Sequence, residues 1–192
     1  MTLTLLRAAD RAAVPWKNGG GVTREVAAWP PGSGFDDFAW RVSMAEVRED
    51  GPFSSFPGID RVLTVLEGAM RLTIQDAGVF DLSSRSAPLA FDGGVLTSAQ
   101  LTAGPVLDLN VMTRRGAAFA RVDRVVAHLT VPPTAGACLV FALADGVAVQ
   151  SAGEVHELHR HDGLLSRAVG SIQASADAQA IVVWLTTPDD RI

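Results

Sequence analysis

The chain has 192 residues, of which 48% are hydrophobic, and a formal net charge of −5. This length suits one large domain or two small ones with a buried core, and the composition excludes a disordered chain. The acidic balance and the single lysine, Lys17, argue against a nucleic-acid partner. No window reaches the roughly 20 apolar residues of a membrane span. The N-terminus lacks the features of a signal peptide, so we expect a cytoplasmic protein with no membrane partner.

Short strand-like stretches follow one another along the chain. Residues 39–45 alternate apolar and polar side chains, and two apolar runs flank Glu67-Gly68 as in a β-hairpin. Further apolar runs span residues 106–112, 125–131, 138–143, 147–149 and 181–185. We therefore predict an all-β protein built of barrel-like sheets. Residues 15–29 and 116–121 are the only segments where we consider a helix.

A faint internal repeat divides the chain into halves. Residues 61–68 resemble residues 139–146, and Phe91-Asp92-Gly93 resembles His161-Asp162-Gly163. We predict two barrels, residues 1–115 with a ligand pocket and residues 116–192 as a degenerate partner packed with it as one unit. The repeat places Leu139 where the first half has Arg61. The alternative is that any two hairpins look alike.

The cysteine and histidine residues offer little for catalysis. Cys138 lies in an apolar run, which favours a small buried side chain over a reactive thiol. The spacing of His156, His159 and His161 could gather a metal, but the charged residues around them favour a solvated loop or edge strand. No nucleophile with an adjacent base stands out, so the sequence leaves open whether the protein is an enzyme.

Residues 51–68 resemble the first metal-binding motif of cupin barrels, which carries a His-x-His pair and a Glu. Depending on the gap, the histidine positions fall on Ser54 and Phe56 or on Ser55 and Pro57. The glutamate position falls on Arg61. Serine and phenylalanine cannot replace imidazole, and an arginine repels a cation. We expect no metal and no cofactor at this site.

Arg61 itself is the main candidate for a binding group. Its guanidinium is permanently charged and presents five donors in a planar fork. Inside a barrel it needs a partner, which is either a structural carboxylate or the anionic end of a ligand. The candidate carboxylates are Asp60, Glu67 and Glu25. Strand alternation would send Leu63 and Val65 inward beside Arg61, giving an apolar cup with a cationic anchor.

The run Gly19-Gly20-Gly21 lacks the following Gly-Lys-Ser/Thr of a phosphate-binding loop. We interpret it as a turn that needs positive φ or close backbone approach. The alternative is that Lys17, Asn18 and backbone amides line the mouth of the first barrel.

Five dense motifs resemble those of the HutD/Ves family of bicupins. They are residues 15–25 (PWKNGGGVTRE), 40–43 (WRVS), 50–61 (DGPFSSFPGIDR), 91–93 (FDG) and 108–115 (DLNVMTRR). The resemblance is strong over residues 3–116 and loose beyond. It implies two double-stranded β-helix barrels of the RmlC-like cupin type and a link to histidine utilisation. It also implies binding of a small carboxylate such as formylglutamate or urocanate. The Ves branch is tied to stress or cold response, and the motifs do not separate the branches.

The candidate ligand-binding residues are Lys17, Asn18, Arg24, Arg41, Ser43, Ser54, Phe56, Arg61, Asn110 and Met112. Our leading hypothesis is a binding protein, monomeric or homodimeric, that senses a small anionic metabolite and regulates histidine utilisation. One alternative is a metal-free cupin enzyme that uses Lys17, Glu25 or Asp60 as acid or base. A second is a protein-interaction module with a vestigial pocket. Fold analogy alone does not separate the three.

Overall fold

A computed structural model of the chain describes residues 3–16, 19–132, 136–175 and 178–191. The described residues form β-strands and two short 3₁₀ helices, Ala8–Asp10 and Pro188–Arg191. The strands are β1 (Thr4–Leu6), β2 (Val14–Pro15), β3 (Gly21–Trp29), β4 (Trp40–Val47), β5 (Gly51–Pro52), β6 (Ile59–Glu67), β7 (Ala69–Ile74), β8 (Gly78–Ser83), β9 (Leu89–Asp92), β10 (Thr97–Leu101), β11 (Val106–Arg114), β12 (Phe119–Val126), β13 (His128–Thr130), β14 (Ala137–Ala142), β15 (Val147–Ser151), β16 (Glu154–Leu158), β17 (Gly163–Ser166), β18 (Val169–Ala174) and β19 (Gln179–Thr186). Within these ranges, no helix is long and apolar enough to span a membrane.

The chain divides into two compact units. The first unit is residues 12–115, and the second unit is residues 1–11 together with residues 116–192. The expected assignment of residues 1–11 to the first half is therefore wrong. Strand β1 pairs along the edge of β17, where backbone N–H and C=O groups of an edge strand are available.

Each unit contains two antiparallel sheets, and four strands of each sheet follow the same order in the two units. In the first unit the sheets run β2-β3-β4-β11-β6-β9 and β5-β10-β7-β8. In the second unit they run β1-β17-β14-β19-β12 and β13-β18-β15-β16. The order β4-β11-β6-β9 thus corresponds to β12-β19-β14-β17, and β5-β10-β7-β8 corresponds to β13-β18-β15-β16. The units share a topology although the sequence repeat between them is faint.

One apolar cluster of the first unit lies between its two sheets. The six-stranded sheet contributes Val47, Leu63, Val65 and Val106, and the four-stranded sheet contributes Met70, Leu72, Ile74, Leu82 and Ala99. We call the side of the six-stranded sheet that carries these residues the inner face. Because side chains alternate along a strand, every second residue of β4, β6 and β11 lies on this face.

Both segments considered for a helix contain strand instead. Residues 15–29 run into β3, and residues 116–121 run into β12. Gly19 has a φ of 77°, and a Cβ at Gly21 would lie 2.5 Å from the carbonyl oxygen of Glu46. Gly19 serves a turn that needs positive φ, and Gly21 allows a close strand approach, because a larger residue at Gly21 would clash with the backbone of β4. Lys17 and Asn18 lie outside the described residues.

The sequence repeat is misaligned by one residue in the second unit. The core of that unit takes Cys138, Val140 and Ala142 from β14. Leu139 therefore lies on the other face of β14, since a slip of one residue exchanges the two faces. The pairing of Phe91-Asp92-Gly93 with His161-Asp162-Gly163 is also wrong: Asp92 ends β9, whereas Gly163 begins β17. The core-facing residues of β14 are apolar, so this strand carries no counterpart of Arg61.

The core of the first unit can be tested with two leucines. Leu72 is fully buried and Leu96 is 70% exposed. We expect Leu72→Ala to lower the free energy of unfolding by about 2–5 kcal/mol, because it removes buried methyl groups and leaves a cavity. Leu96→Ala is the control and should change it by about 0.5 kcal/mol or less. Urea unfolding measures both, and equal effects of the two variants would contradict the core assignment.

Candidate ligand site

Three adjacent strands of the first unit place polar side chains together on the inner face. In the central strand β11, Met112 pairs with Arg61 of β6 and with Arg41 of β4. Directly paired residues point to the same side of a sheet, so the two arginines flank Met112 in one row. The next row is formed by Leu63, Asn110 and Ser43. The register thus gathers residues that are far apart in the sequence.

Arg61 is the buried cation of this group, with 4% of its surface exposed. Its Nε donates to Oδ1 of Asn110 at 3.3 Å, and one terminal nitrogen donates to the carbonyl oxygen of Ser54 at 3.3 Å. Among the described residues no carboxylate forms an ion pair with Arg61. Two of its five N–H groups are therefore used by the chain, and the edge formed by the two terminal nitrogens keeps donors for a further acceptor.

Three phenylalanine rings surround the guanidinium. Its central carbon lies 5.2 Å from the ring centroid of Phe53, 5.8 Å from that of Phe56 and 5.2 Å from that of Phe91. Cation–π attraction stabilises the charge in this apolar setting, and Arg is suited to it because its guanidinium is weakly hydrated. A Cβ at Gly93 would lie 3.0 Å from the Arg61 side chain, so the chain after β9 also packs closely on it.

The second arginine of the row is already paired. Nε of Arg41 donates to Oε2 of Glu25 at 2.8 Å, and a terminal nitrogen donates to Oγ of Ser43 at 3.3 Å. The Arg41 guanidinium lies 4.8 Å from the ring of Phe35, which stacks on Phe56 at 5.5 Å. A chain of contacts therefore links the surroundings of Arg41 to those of Arg61.

A carboxyl group is buried on the same face. Asp108 is 2% exposed and pairs with Ala45 on one side and Val65 on the other. Its Oδ1 is buried without a hydrogen-bond partner among the described residues. Such an arrangement is costly for a charged carboxylate, because burial removes water without replacing its hydrogen bonds.

Burial shifts the pKa values of Asp108 and Arg61 in the directions that favour their neutral forms. Removal from water raises the pKa of Asp108 to about 7, and the positive charge of Arg61 opposes this rise. Removal from water lowers the pKa of Arg61 to about 10, and the charge of Asp108 opposes this fall. At neutral pH Arg61 is therefore a cation, whereas Asp108 exchanges between its protonated and ionised forms.

The structure brings together most of the predicted site residues. Arg61, Asn110, Met112, Arg41, Ser43 and Phe56 lie in the cluster described above, and Ser54 contributes its backbone carbonyl rather than its hydroxyl. Arg24 does not belong to it. Its partner across the strands is Met44, so it lies on the opposite face from Ser43 and Arg41. Lys17 and Asn18 lie outside the described residues, so their place remains a prediction.

The carboxylates considered as structural partners of Arg61 have other roles. Asp60 accepts from Arg115 at 2.7 Å, and Glu25 pairs with Arg41. Glu67 is exposed at the end of β6. Both Glu25 and Asp60, which were also candidate acids or bases, are thus held in ion pairs.

The residues at the cupin metal positions do not fit a divalent metal. Arg61 brings a buried positive charge to the place of the glutamate, and Ser54 is exposed. Among the described residues, no group of three or more His, Cys, Asp or Glu side chains is placed to hold a metal ion. Cys138 is buried, which raises the pKa of its thiol to about 12 and keeps it protonated.

The histidine segment borders a cavity in the second unit. His156 and His159 line an open cavity of about 720 Å³ together with Arg7, Arg160 and residues 8–10. His161 instead stacks on Phe141 at 5.8 Å. The second unit thus has an open cavity of its own, and a ligand pocket in the first half alone stays a prediction. Around Arg61 the phenylalanine rings lie close to the guanidinium instead of leaving a wide opening.

Several residues of the site are not among the ligand-binding residues predicted from the sequence, although Phe53, Phe91 and Asp108 lie in its motifs. Phe53 and Phe91 contact Arg61, and Phe35 contacts Arg41. Asp108 could have been recognised from the sequence, because it is an acidic residue at a core-facing position of an apolar strand. Alternation in residues 89–92 places Phe91 on the same face as Leu89, but its pairing with Arg61 is a strand register that only the structure shows. Phe35 lies in a long connection between β3 and β4, where no periodicity indicates its direction.

The fold identifies the class of protein first. A cupin 2 conserved barrel domain protein from Leptotrichia buccalis has a TM-score of 0.57 with this chain at 9% identity, covering 91% of this chain and 92% of that one. The structure is thus all-β with cupin-like neighbours. The likeness at this identity concerns the fold alone.

The chain belongs to the HutD family, whose model matches residues 8–184, and that family is associated with histidine utilisation. An uncharacterized 21.2 kDa protein in the hutC 3′ region of Pseudomonas putida is 38% identical over 164 residues, 84% of this chain and 85% of that protein. Protein Ves of Citrobacter koseri is 40% identical over 109 residues, 56% of each chain. The structure of HutD from Pseudomonas fluorescens SBW25 has a TM-score of 0.84 at 34% identity, covering 97% of this chain and 99% of that one.

The buried carboxyl should make stability depend on pH. The pKa of Asp108 in the folded chain is about 7, whereas an unfolded aspartate has a pKa of about 3.9. Between these values the folded protein holds the extra proton, so this contribution to the free energy of unfolding falls as pH rises, by at most about 1.4 kcal/mol per pH unit. Asp108→Asn removes this pH-dependent contribution. Urea unfolding should therefore show that the free energy of unfolding of the variant, relative to that of the wild type, increases from pH 4.5 to pH 7. A difference between the two proteins that does not change with pH would contradict the effect of burial on the pKa of Asp108.

Proposed function

We propose that the chain is a bicupin whose first unit binds the carboxylate of a small metabolite at Arg61, and that it acts as a sensor or regulator in histidine utilisation. The metabolite is of the formylglutamate or urocanate kind. The proposal includes a cytoplasmic location, where such metabolites are made and consumed, and a monomer or homodimer. It assigns no metal and no catalytic step to the site.

One observation carries this proposal. Arg61 is buried, keeps its positive charge at neutral pH, and has no ion pair with a carboxylate of the described residues. A buried charge without a direct ion pair is unfavourable, so this arrangement favours an anion that arrives from outside the chain. A carboxylate can accept from both terminal nitrogens of the guanidinium at once, which is the geometry in which arginine binds carboxylates well.

The position of the guanidinium is compatible with access from solvent. Ser54, whose carbonyl accepts from Arg61, is exposed, and so is Ser55. Residues 53–56 therefore form a segment that contacts the guanidinium and also reaches the surface. Phe53 and Phe56 of this segment would have to turn aside or pack on the ligand, and either arrangement gives the bound carboxylate an apolar, weakly hydrated environment that strengthens its hydrogen bonds to Arg61.

The family and its relatives support the choice of metabolite. HutD proteins are associated with histidine utilisation, and HutD from Pseudomonas fluorescens SBW25 was solved in a formate condition. Formate is the smallest carboxylate and formamide is its uncharged counterpart, so the two form a matched pair of probes. A protein that binds formate, urocanate or N-formyl-L-glutamate but not formamide would recognise the carboxylate charge.

The Arg61 anchor can be tested by substitution. We expect Arg61→Met to weaken binding of N-formyl-L-glutamate by roughly a hundredfold or more, because two charge-assisted hydrogen bonds are lost. Arg61→Lys keeps the charge without the planar fork and should recover only part of the affinity. The control is Arg71→Met, since Arg71 is an exposed arginine of the same unit, bound to Asp81. Calorimetric titration gives the affinities and thermal melting reports folding. Unchanged affinity in a folded Arg61→Met variant would refute the anchor.

A further inference from the structure

The strands beside Asp108 carry few groups that can titrate. From β6 the residues on its face are Arg61, Leu63 and Val65, and from β4 they are Arg41, Ser43 and Ala45. On β11 itself the neighbours on that face are Val106, Asn110 and Met112, and β3 beyond β4 adds Glu25 opposite Ser43. The opposing four-stranded sheet contributes apolar side chains. In the part of the chain that the structure describes, the charged groups facing Asp108 are therefore Arg61, Arg41 and Glu25.

Two of these charges already cancel. Glu25 and Arg41 form an ion pair at 2.8 Å, so together they add little net charge to the face. Arg61 is then the charge that acts on Asp108, and it attracts the ionised carboxylate without a direct hydrogen bond to it. Asp108 when ionised balances Arg61, and Asp108 when protonated leaves Arg61 as a net positive charge.

We propose that Asp108 is a proton-binding residue of the Arg61 site, so that a carboxylate ligand enters together with a proton that Asp108 takes up. This inference rests on the proposed function. The ligand neutralises Arg61 and removes the attraction that keeps Asp108 ionised, and the negative charge of the ligand adds repulsion. Asp108 accepts a proton from solvent on its carboxylate, and no other bond is made or broken. The site then holds its anion without a second negative charge buried beside it.

The proposal predicts the direction of the pH effect. Binding that takes up a proton weakens as pH rises, by at most about tenfold per pH unit. This weakening should begin near neutral pH, where Asp108 of the ligand-free protein becomes ionised. At acidic pH Asp108 already holds its proton, so the affinity should no longer change. Asp108→Asn mimics the protonated group and should bind with an affinity that does not depend on pH between 6 and 9.

The test follows the carboxyl carbon of Asp108 directly. Protein labelled with ¹³C at the aspartate carboxyl is titrated by NMR from pH 5 to 9, alone and with N-formyl-L-glutamate, and Asp108→Asn identifies the resonance. We expect the ligand to move the midpoint of Asp108 to higher pH by about one unit or more, because the attraction of Arg61 is lost. Arg61→Met should produce the same direction of shift without ligand, and Arg61→Lys should leave the midpoint close to that of the wild type.

Calorimetry in buffers of different ionisation enthalpy counts the protons. We expect net uptake at pH 8 by the wild type and by Asp81→Asn, a surface control in the same unit, and none by Asp108→Asn. Binding without proton uptake, with the Asp108 resonance unmoved, would overturn the inference and leave the proposed function standing. Failure of formate, urocanate and N-formyl-L-glutamate all to bind would overturn the proposed function, and the ligand linkage with it. An unchanged Asp108 midpoint in Arg61→Met would overturn the coupling itself.

Discussion

Arg61 holds a positive charge inside the first unit without an ion pair to any carboxylate of the described chain, and the rest of the site is arranged around this constraint. The free energy needed to remove a guanidinium from water is offset by hydrogen bonds to Asn110 and to the backbone of Ser54. Three phenylalanine rings add cation–π attraction. These contacts orient the guanidinium but leave donors on its terminal nitrogens. The guanidinium is therefore oriented to donate hydrogen bonds to a further acceptor.

The sheets explain how this arrangement is built. Residues 41, 61 and 112 meet because β11 pairs with β4 on one side and β6 on the other. Gly93 allows the chain after β9 to lie against the Arg61 side chain, and Arg41 is neutralised by Glu25. The second unit shares the strand order but places Cys138 and Val140 on the core face of β14. A common topology thus supports a buried arginine on the core face of β6 in one unit and apolar side chains on the core face of β14 in the other.

Much of the fold could be predicted from the sequence, because alternation and hairpin signals depend on neighbouring residues. The all-β class, the burial of Cys138 and the shared face of Arg61, Leu63 and Val65 follow from such local patterns. Pairings between distant segments could not be read in this way. The repeat was aligned on its hairpins, and an error of one residue was enough to place Leu139 on the wrong face. The attachment of β1 to the second unit likewise depends on an edge that only the folded sheet presents.

The candidate site was likewise predictable only where local sequence patterns determine it. The motifs pointed to Arg61, Arg41 and Asn110, which the register brings together, but also to Arg24, which alternation sends to the other face. The ion pair of Arg41 with Glu25 could not be assigned from the sequence, where Glu25 was one of three candidate partners for Arg61. Asp108 changes the electrostatics most among the residues not singled out, because its burial couples a titratable carboxyl to the anchor.

The central claim is that the terminal nitrogens of Arg61 receive a carboxylate from outside the chain. A crystal structure of the protein grown with N-formyl-L-glutamate tests it most directly. We expect the ligand carboxylate to lie within hydrogen-bonding distance, about 2.7–2.9 Å, of both terminal nitrogens of Arg61, beside the rings of Phe53 and Phe56. A carboxylate of the chain itself on those nitrogens, or a ligand bound only elsewhere, would contradict the account.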